Sequence, residues 1–118
     1  AAANKDLLIM IQIEHIEGVK NIDSILKVKG IDSVFIGPYD LSASMGLTGQ
    51  IFHPDVVSAI NHIKDKCRQA GLPYGIFGMN PEPMISELND GCTFLLCGVD
   101  TSNLLNSYTD MIRILKKG

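Results

Sequence analysis

One pattern, repeated four times along the chain, limits what it can fold into more than any other feature. Each unit has an apolar run of strand length, then a turn, then apolar residues three and four apart. Residues 7–13 (LLIMIQI) form a nearly continuous apolar run, as expected of a strand covered on both faces. After Glu14 the period changes, and Val19, Ile22, Ile25 and Leu26 share one side of a predicted helix that stops before Gly30. Residues 33–36 (SVFI) read as a second buried strand, ended by Gly37-Pro38, which cannot continue a ladder.

A long connection over 39–52 carries Gly46, Gly49 and room for one short helical turn. Pro54 and Asp55 then suit the first turn of a helix, and Val56, Ala59, Ile60, Ile63, Cys67 and Ala70 form its predicted buried face before Gly71. A third strand over 74–77 leads to a short helix over 84–90, closed by Gly91. The last strand is expected over 93–97. Thr101 or Ser102 would cap a final amphipathic helix, over 103–116, with Leu104, Leu105, Tyr108, Ile112 and Leu115 facing inward.

Strands alternating with helices predict an α/β fold with a parallel sheet and right-handed crossovers. A small doubly wound sheet and part of a (β/α)8 barrel both satisfy this. A whole barrel takes roughly 250 residues; with 118 residues and four strands, residues 1–118 read as a single (βα)4 segment, half of a barrel if it is one.

Hydrophobic content of 46% and charged content of 19% suit a folded chain rather than a disordered one. A net charge of −3 offers no basic footprint for nucleic acid or an anionic membrane. The run at 7–13 is far too short to span a bilayer, and no basic segment followed by an apolar one reads as a leader. Cys67, Cys92 and Cys97 are odd in number and lack CxxC spacing. Buried reduced thiols are the expectation, and with them a cytoplasmic location.

In either architecture chemistry gathers where strands end and loops begin. That selects Gln12 and Glu14, residues 37–40, residues 77–80 and residues 98–100. Gln12 and Glu14 are two apart and point to the same face. Asp40 follows the next strand, and neighbouring strands lie about 4.8 Å apart, so the two carboxylates can meet at one ion. Carboxylates without a Cys or His cluster suit Mg²⁺ or Mn²⁺ with open coordination positions. The plainer reading makes Glu14 an acidic helix start and Asp40 a turn cap. Gly37, Pro38, Tyr39 and Asp40 (GPYD) could expose backbone amides to a carboxylate, though a simple turn would read the same.

Other chemistries have less support. Each lysine lies on a helix or helix end, or, as Lys5 does, ahead of a strand, so Schiff-base chemistry is not expected. Residues 46–49 (GLTG) match neither phosphate-loop pattern. His53 reads as a helix-start residue and His62 as solvated. His15 reads as a packing or supporting residue.

At these same positions the chain resembles the metal-dependent 4-hydroxy-2-oxoacid aldolases, the HpcH/HpaI family. IQIE at 11–14 resembles that family's first metal carboxylate, and VFIGPYDLSASMG at 34–46 followed by HPDV at 53–56 its second. CGVDTSNL at 97–104 resembles its last strand and final helix start. The resemblance runs along nearly the whole chain. It implies a (β/α)8 barrel with these units as strands five to eight. It also implies a divalent metal (Mg²⁺ or Mn²⁺, with Co²⁺ as an option) held by Glu14 and Asp40, which would be catalytic through it. The metal would chelate pyruvate and stabilise the enolate released on carbon–carbon cleavage, the other product being an aldehyde. Amides at 37–40 would hold the pyruvate carboxylate, and Gln12 would line the site.

The family's final helix packs on a neighbouring subunit, which implies an oligomer or, for an isolated half, pairing with the missing half. Tyr39 and His15 stand where the family commonly has smaller residues. The family's catalytic histidine and its keto-acid arginine belong to the first half of the barrel, so activity of this half alone is expected to be weak or nil. A citrate- or acyl-CoA-type lyase on the same barrel, and a non-catalytic binding module, are the alternatives.

Overall fold

The computed structural model describes residues 5–117; Ala1 to Asn4 and Gly118, at the two ends of the expected 1–118 segment, lie outside them. The elements are β1 (Met10–Ile13), α1 (Ile16–Lys20), α2 (Ile22–Ile25), β2 (Ser33–Ile36), α3 (Pro38–Ser44), α4 (Pro54–Ala70), β3 (Tyr74–Gly78), α5 (Pro81–Asn89), β4 (Phe94–Cys97) and α6 (Asp100–Leu115). The four strands form one sheet in the order β1-β2-β3-β4, every pair parallel. Among the described residues, sequential order with helical crossovers places β1 and β4 at the two edges of the sheet.

The register defines the two faces. Gln12 pairs with Phe35, Phe35 with Gly75, and Gly75 with Phe94. Because alternate residues share a face, Met10, Gln12, Ser33, Phe35, Phe77, Phe94 and Leu96 lie on one side. Ile13, Val34, Ile36, Tyr74 and Ile76 lie on the other. That second face packs on the helices, with Val56, Ala59, Ile60, Ile63 and Cys67 of α4 and Leu41 of α3 closing the core.

α4 keeps its expected limits for identifiable reasons. Pro54 occupies the first turn, His53 Nδ1 accepts from the Asp55 N–H at 3.3 Å, and Gly71 leaves the helix with φ 66°. Two features of its face differ from expectation. Ala70 is exposed, and Lys64 is buried. Lys64 lies one helical repeat (i+4) beyond Ile60, so the same stripe carries it inward. Its Nζ lies 2.5 Å from Glu87 and 3.4 Å from Asp90, while Arg68 reaches Asp90 at 2.7 Å and the Tyr74 hydroxyl at 2.9 Å. These groups tie α4 to β3 and to the end of α5.

Other expectations need correction. The strand expected from residue 7 begins at Met10, and Leu7, Leu8 and Ile9 are about half or more exposed; an edge strand has no second neighbour to cover it. One helix expected after Glu14 is two, broken at Asn21, whose φ of −98° and ψ of 9° are not helical. The long connection after β2 opens with the seven-residue α3, because Pro38 suits a first helical position. α5 begins at Pro81 rather than Met84. Cys67 and Cys92 are buried free thiols as expected, but Cys97 is exposed on the β4 edge. No residue of α6 is buried: Leu104, Leu105, Tyr108, Ile112 and Leu115, expected inward, are 50–78% exposed. Among the described residues, no helix is long and apolar enough to cross a membrane.

Candidate functional site

The C-terminal ends of β1 and β2 bring Gln12, Glu14 and Gly37 together. Ile13 pairs with Ile36, and the Gly37 N–H continues the ladder by donating to the Ile13 carbonyl at 3.1 Å, so Glu14 and Gly37 are neighbours across the strand ends. Gln12 Nε2 donates to Glu14 Oε2 at 2.6 Å. This bond fixes the carboxylate's orientation on the face away from the helices. A Cβ on Gly37 would stand 3.0 Å from Gln12 Nε2 and from Glu14 Cβ, and 3.2 Å from Glu14 Oε2. Only glycine lets the Gln12 amide and the Glu14 carboxylate pack this closely against the end of β2.

Glu14 does not start a helix. His15 takes that role: its Nδ1 accepts from the Glu17 N–H at 3.2 Å as the N-cap of α1. Glu14 is therefore left half-buried at the strand end, with Gln12 as its hydrogen-bond donor.

Pro38, Tyr39 and Asp40 form the first turn of α3. Pro38 is buried, Tyr39 half-buried and Asp40 exposed. The N–H groups of a first helical turn have no partner within the helix, and those of Tyr39 and Asp40 lie at the N-terminal end of α3, directly after β2. α3 is anchored to α1 by Ser44, whose hydroxyl accepts from the Ile16 N–H at 2.9 Å and donates to the Leu41 carbonyl at 2.7 Å. Ser42 ties the same helix to the following loop, with its hydroxyl donating to the Tyr39 carbonyl and accepting from the Gly49 N–H. The turn that bears Asp40 is thus held from both sides.

Tyr39 extends from this turn to Phe77, with ring centroids 5.7 Å apart and planes at 65°. Both residues line a cavity of about 140 Å³ between the end of β3, α4 and α5. Gln12, Glu14 and Asp40 are outside that lining, so the cavity and the carboxylate pair are distinct features that meet at Pro38 and Tyr39. Phe77 falls within the 77–80 segment that strand position selects, but nothing in the linear pattern separates it from its neighbours. Only the register, which aligns Phe77 with Glu14 and Gly37, gives it a place in the site. Lys64 and Glu87 also line the cavity, and their mutual ion pair leaves no free amine for covalent chemistry.

Among the described residues, no three His, Cys, Asp or Glu side chains converge. A cation bound at the strand ends would therefore take its further ligands from water or substrate.

The family model for HpcH/HpaI aldolase/citrate lyase matches residues 1–107. The hydroxypyruvate/pyruvate aldolase of Pseudomonas aeruginosa is 40% identical over 116 residues, covering 98% of this chain and 43% of that protein. The 5-keto-4-deoxy-D-glucarate aldolase of Escherichia coli is 40% identical over 117 residues, covering 99% and 46%. The crystal structure of an HpcH/HpaI aldolase/citrate lyase family protein from Burkholderia cenocepacia J2315 matches with a TM-score of 0.93 at 31% identity, over 97% of this chain and 44% of that one. The chain thus spans a little under half the length of these relatives. Its four parallel units are half of a (β/α)8 barrel.

Proposed function

Since the chain belongs to the HpcH/HpaI aldolase/citrate lyase family, we propose that it carries the metal- and pyruvate-binding half of a carbon–carbon lyase. The parent reaction is reversible cleavage of a 4-hydroxy-2-oxoacid to pyruvate and an aldehyde. The observation that carries this reading is the close approach of the Gln12-held Glu14 carboxylate to Gly37, three residues before Asp40.

The donor set fits a hard divalent ion. Glu14 and Asp40 offer carboxylate oxygens, and His15, the nearest imidazole in sequence, is engaged by the Glu17 N–H. Glu14 and Gly37 are one strand spacing apart, about 4.8 Å, and Asp40 lies three residues into a helix that rises about 1.5 Å per residue. Their backbones are therefore within about 10 Å, a span that a glutamate and an aspartate can close around one Mg²⁺ or Mn²⁺.

When bound, the ion would supply Lewis-acid polarisation of the 2-oxo group of pyruvate. Gln12 holds Glu14 in place, and the Tyr39 and Asp40 amides receive the pyruvate carboxylate. Leaving water and substrate to complete the shell keeps positions open for exchange. The open edges β1 and β4 and the uncovered apolar face between them pair with a complementary half barrel. This chain alone is inactive or weakly active, and the aldehyde is released from the assembled barrel.

The test is a titration of the purified chain with Mn²⁺, alone and with pyruvate, followed by water-proton relaxation. Glu14→Gln and Asp40→Asn are each expected to weaken Mn²⁺ binding by at least about ten-fold, since even the loss of outer-shell groups costs that much. Undiminished binding in both variants would refute the site. Sedimentation of the same samples tests the edges, and a monomer at every concentration would remove that part of the reading.

A further inference from the structure

The upper row of the uncovered sheet face has an order that bears on substrate choice. Ile13 pairs with Ile36 and Ile36 with Ile76, and Phe77 pairs with Leu96. One residue further along, the row therefore reads Glu14, Gly37, Phe77, Leu96. Gly37 puts no side chain into the row: the Gln12 amide and the Glu14 side chain stand 3.0–3.2 Å from where its Cβ would be, with the carboxylate on the β1 side and an aromatic ring on the β3 side. Two strand spacings separate those walls, about 9.6 Å. Tyr39, which adjoins Asp40, packs its ring on Phe77 and completes the second wall.

We propose that Tyr39 and Phe77 form the wall that selects the part of the substrate beyond pyruvate, favouring an apolar or aromatic tail over one that ends in a second carboxylate. The proposal rests on the pyruvate site described above and names the substrate class of that site. A 2-oxo acid anchored between Glu14, Asp40 and the helix-turn amides sits beside Gly37, and a tail growing along the sheet toward β3 meets the two rings. Aromatic faces carry negative charge density and attract apolar groups and ring edges. A carboxylate placed against the ring faces would lose hydration, with the Tyr39 hydroxyl as the wall's single donor. Leu96, next in the row, extends the apolar surface. Phe35 and Phe94 do the same one row below, their rings 5.7 Å apart, with the Phe94 side chain lying over Gly75.

Both rings belong to this chain, so the preference is measurable by binding, without turnover. The Mn²⁺-loaded chain is titrated by calorimetry with pyruvate, 2-oxo-4-phenylbutanoate and 2-oxopentanedioate. The phenyl-tailed acid is expected to bind about ten-fold more tightly than pyruvate, the scale of one aromatic contact. The dicarboxylate should bind no more tightly than pyruvate. Tyr39→Ala and Phe77→Leu should each bring the phenyl-to-pyruvate ratio to within about three-fold, and Tyr39→Phe should keep it. Two independent variants protect the test against one that does not fold. A ratio that survives both Tyr39→Ala and Phe77→Leu, or a dicarboxylate that binds as tightly as the phenyl acid, overturns the wall. If none of the three acids binds, the pyruvate site itself fails and the wall falls with it.

Discussion

The middle of this molecule and its two ends are built of similar residues with opposite fates. β2 is buried at all four positions, and α4 seals its inner stripe with Val56 and Ile63 fully covered. β4 and α6 carry Phe94, Leu96, Leu104, Leu105, Ile114 and Leu115, all 44% or more exposed. At the other end, Leu7 and Leu8 are exposed by more than three-fifths. The middle units have a neighbour on each side within the chain, and the outer ones have it on one side only. Apolar residues at the ends are thus left exposed in this chain, whose relatives are a little over twice as long.

The largest expected effect on this contrast comes from the core. Ile63→Ala removes a fully buried side chain and should lower stability by about 2–5 kcal/mol. Leu115→Ala, at a 78% exposed position, should change it by no more than about 0.5 kcal/mol. Urea midpoints of the two variants measure this, and comparable losses would show that α6 is covered in solution.

A smaller effect is expected at the charged seam between α4 and α5. Lys64→Met leaves Glu87, whose side chain is 18% exposed, without its cation. The cost of breaking a buried pair, discounted for that exposure, is about 2 kcal/mol. Adding Glu87→Leu should restore most of it, which a double-mutant cycle reads directly. No recovery would mean that Lys64 acts through packing of its stem instead.

The smallest effect should come from acid. Burial acts to raise the Asp90 carboxyl, but the hydrogen bond and charge of Arg68, aided by Lys64, outweigh it and hold the group below the ordinary carboxylate range. A carboxyl depressed in the folded state adds stability above its unfolded pKa, near 3.9, and loses it as pH falls through the folded value. Thermal unfolding should therefore show a modest drop on going below about pH 4, and Asp90→Asn should flatten it. An identical acid profile in Asp90→Asn would detach the seam from the pH response.

The four strands and four main helices were legible because their causes are local: apolar runs, a Pro at a first turn, a Gly at a left-handed exit. The positions of Glu14 and of the GPYD turn just past β1 and β2 were legible for the same reason, since they follow from strand limits. Phe77 was not singled out, because its membership of the site depends on register between β1, β2 and β3, which no single segment encodes. The inward face assigned to α6 failed for a related reason. Amphipathic spacing states that one side needs covering, but not whether this chain supplies the cover.

The sequence by itself determined the alternation of strands and helices, the parallel sheet and the residues at the strand ends. Tertiary structure alone decided which apolar faces are satisfied within the chain, that Lys64 is buried against Glu87, and that Glu14, Gly37 and Phe77 share one row. Periodicity and capping act over a few neighbouring residues. Burial, ion pairing and register depend on segments tens of residues apart meeting in space.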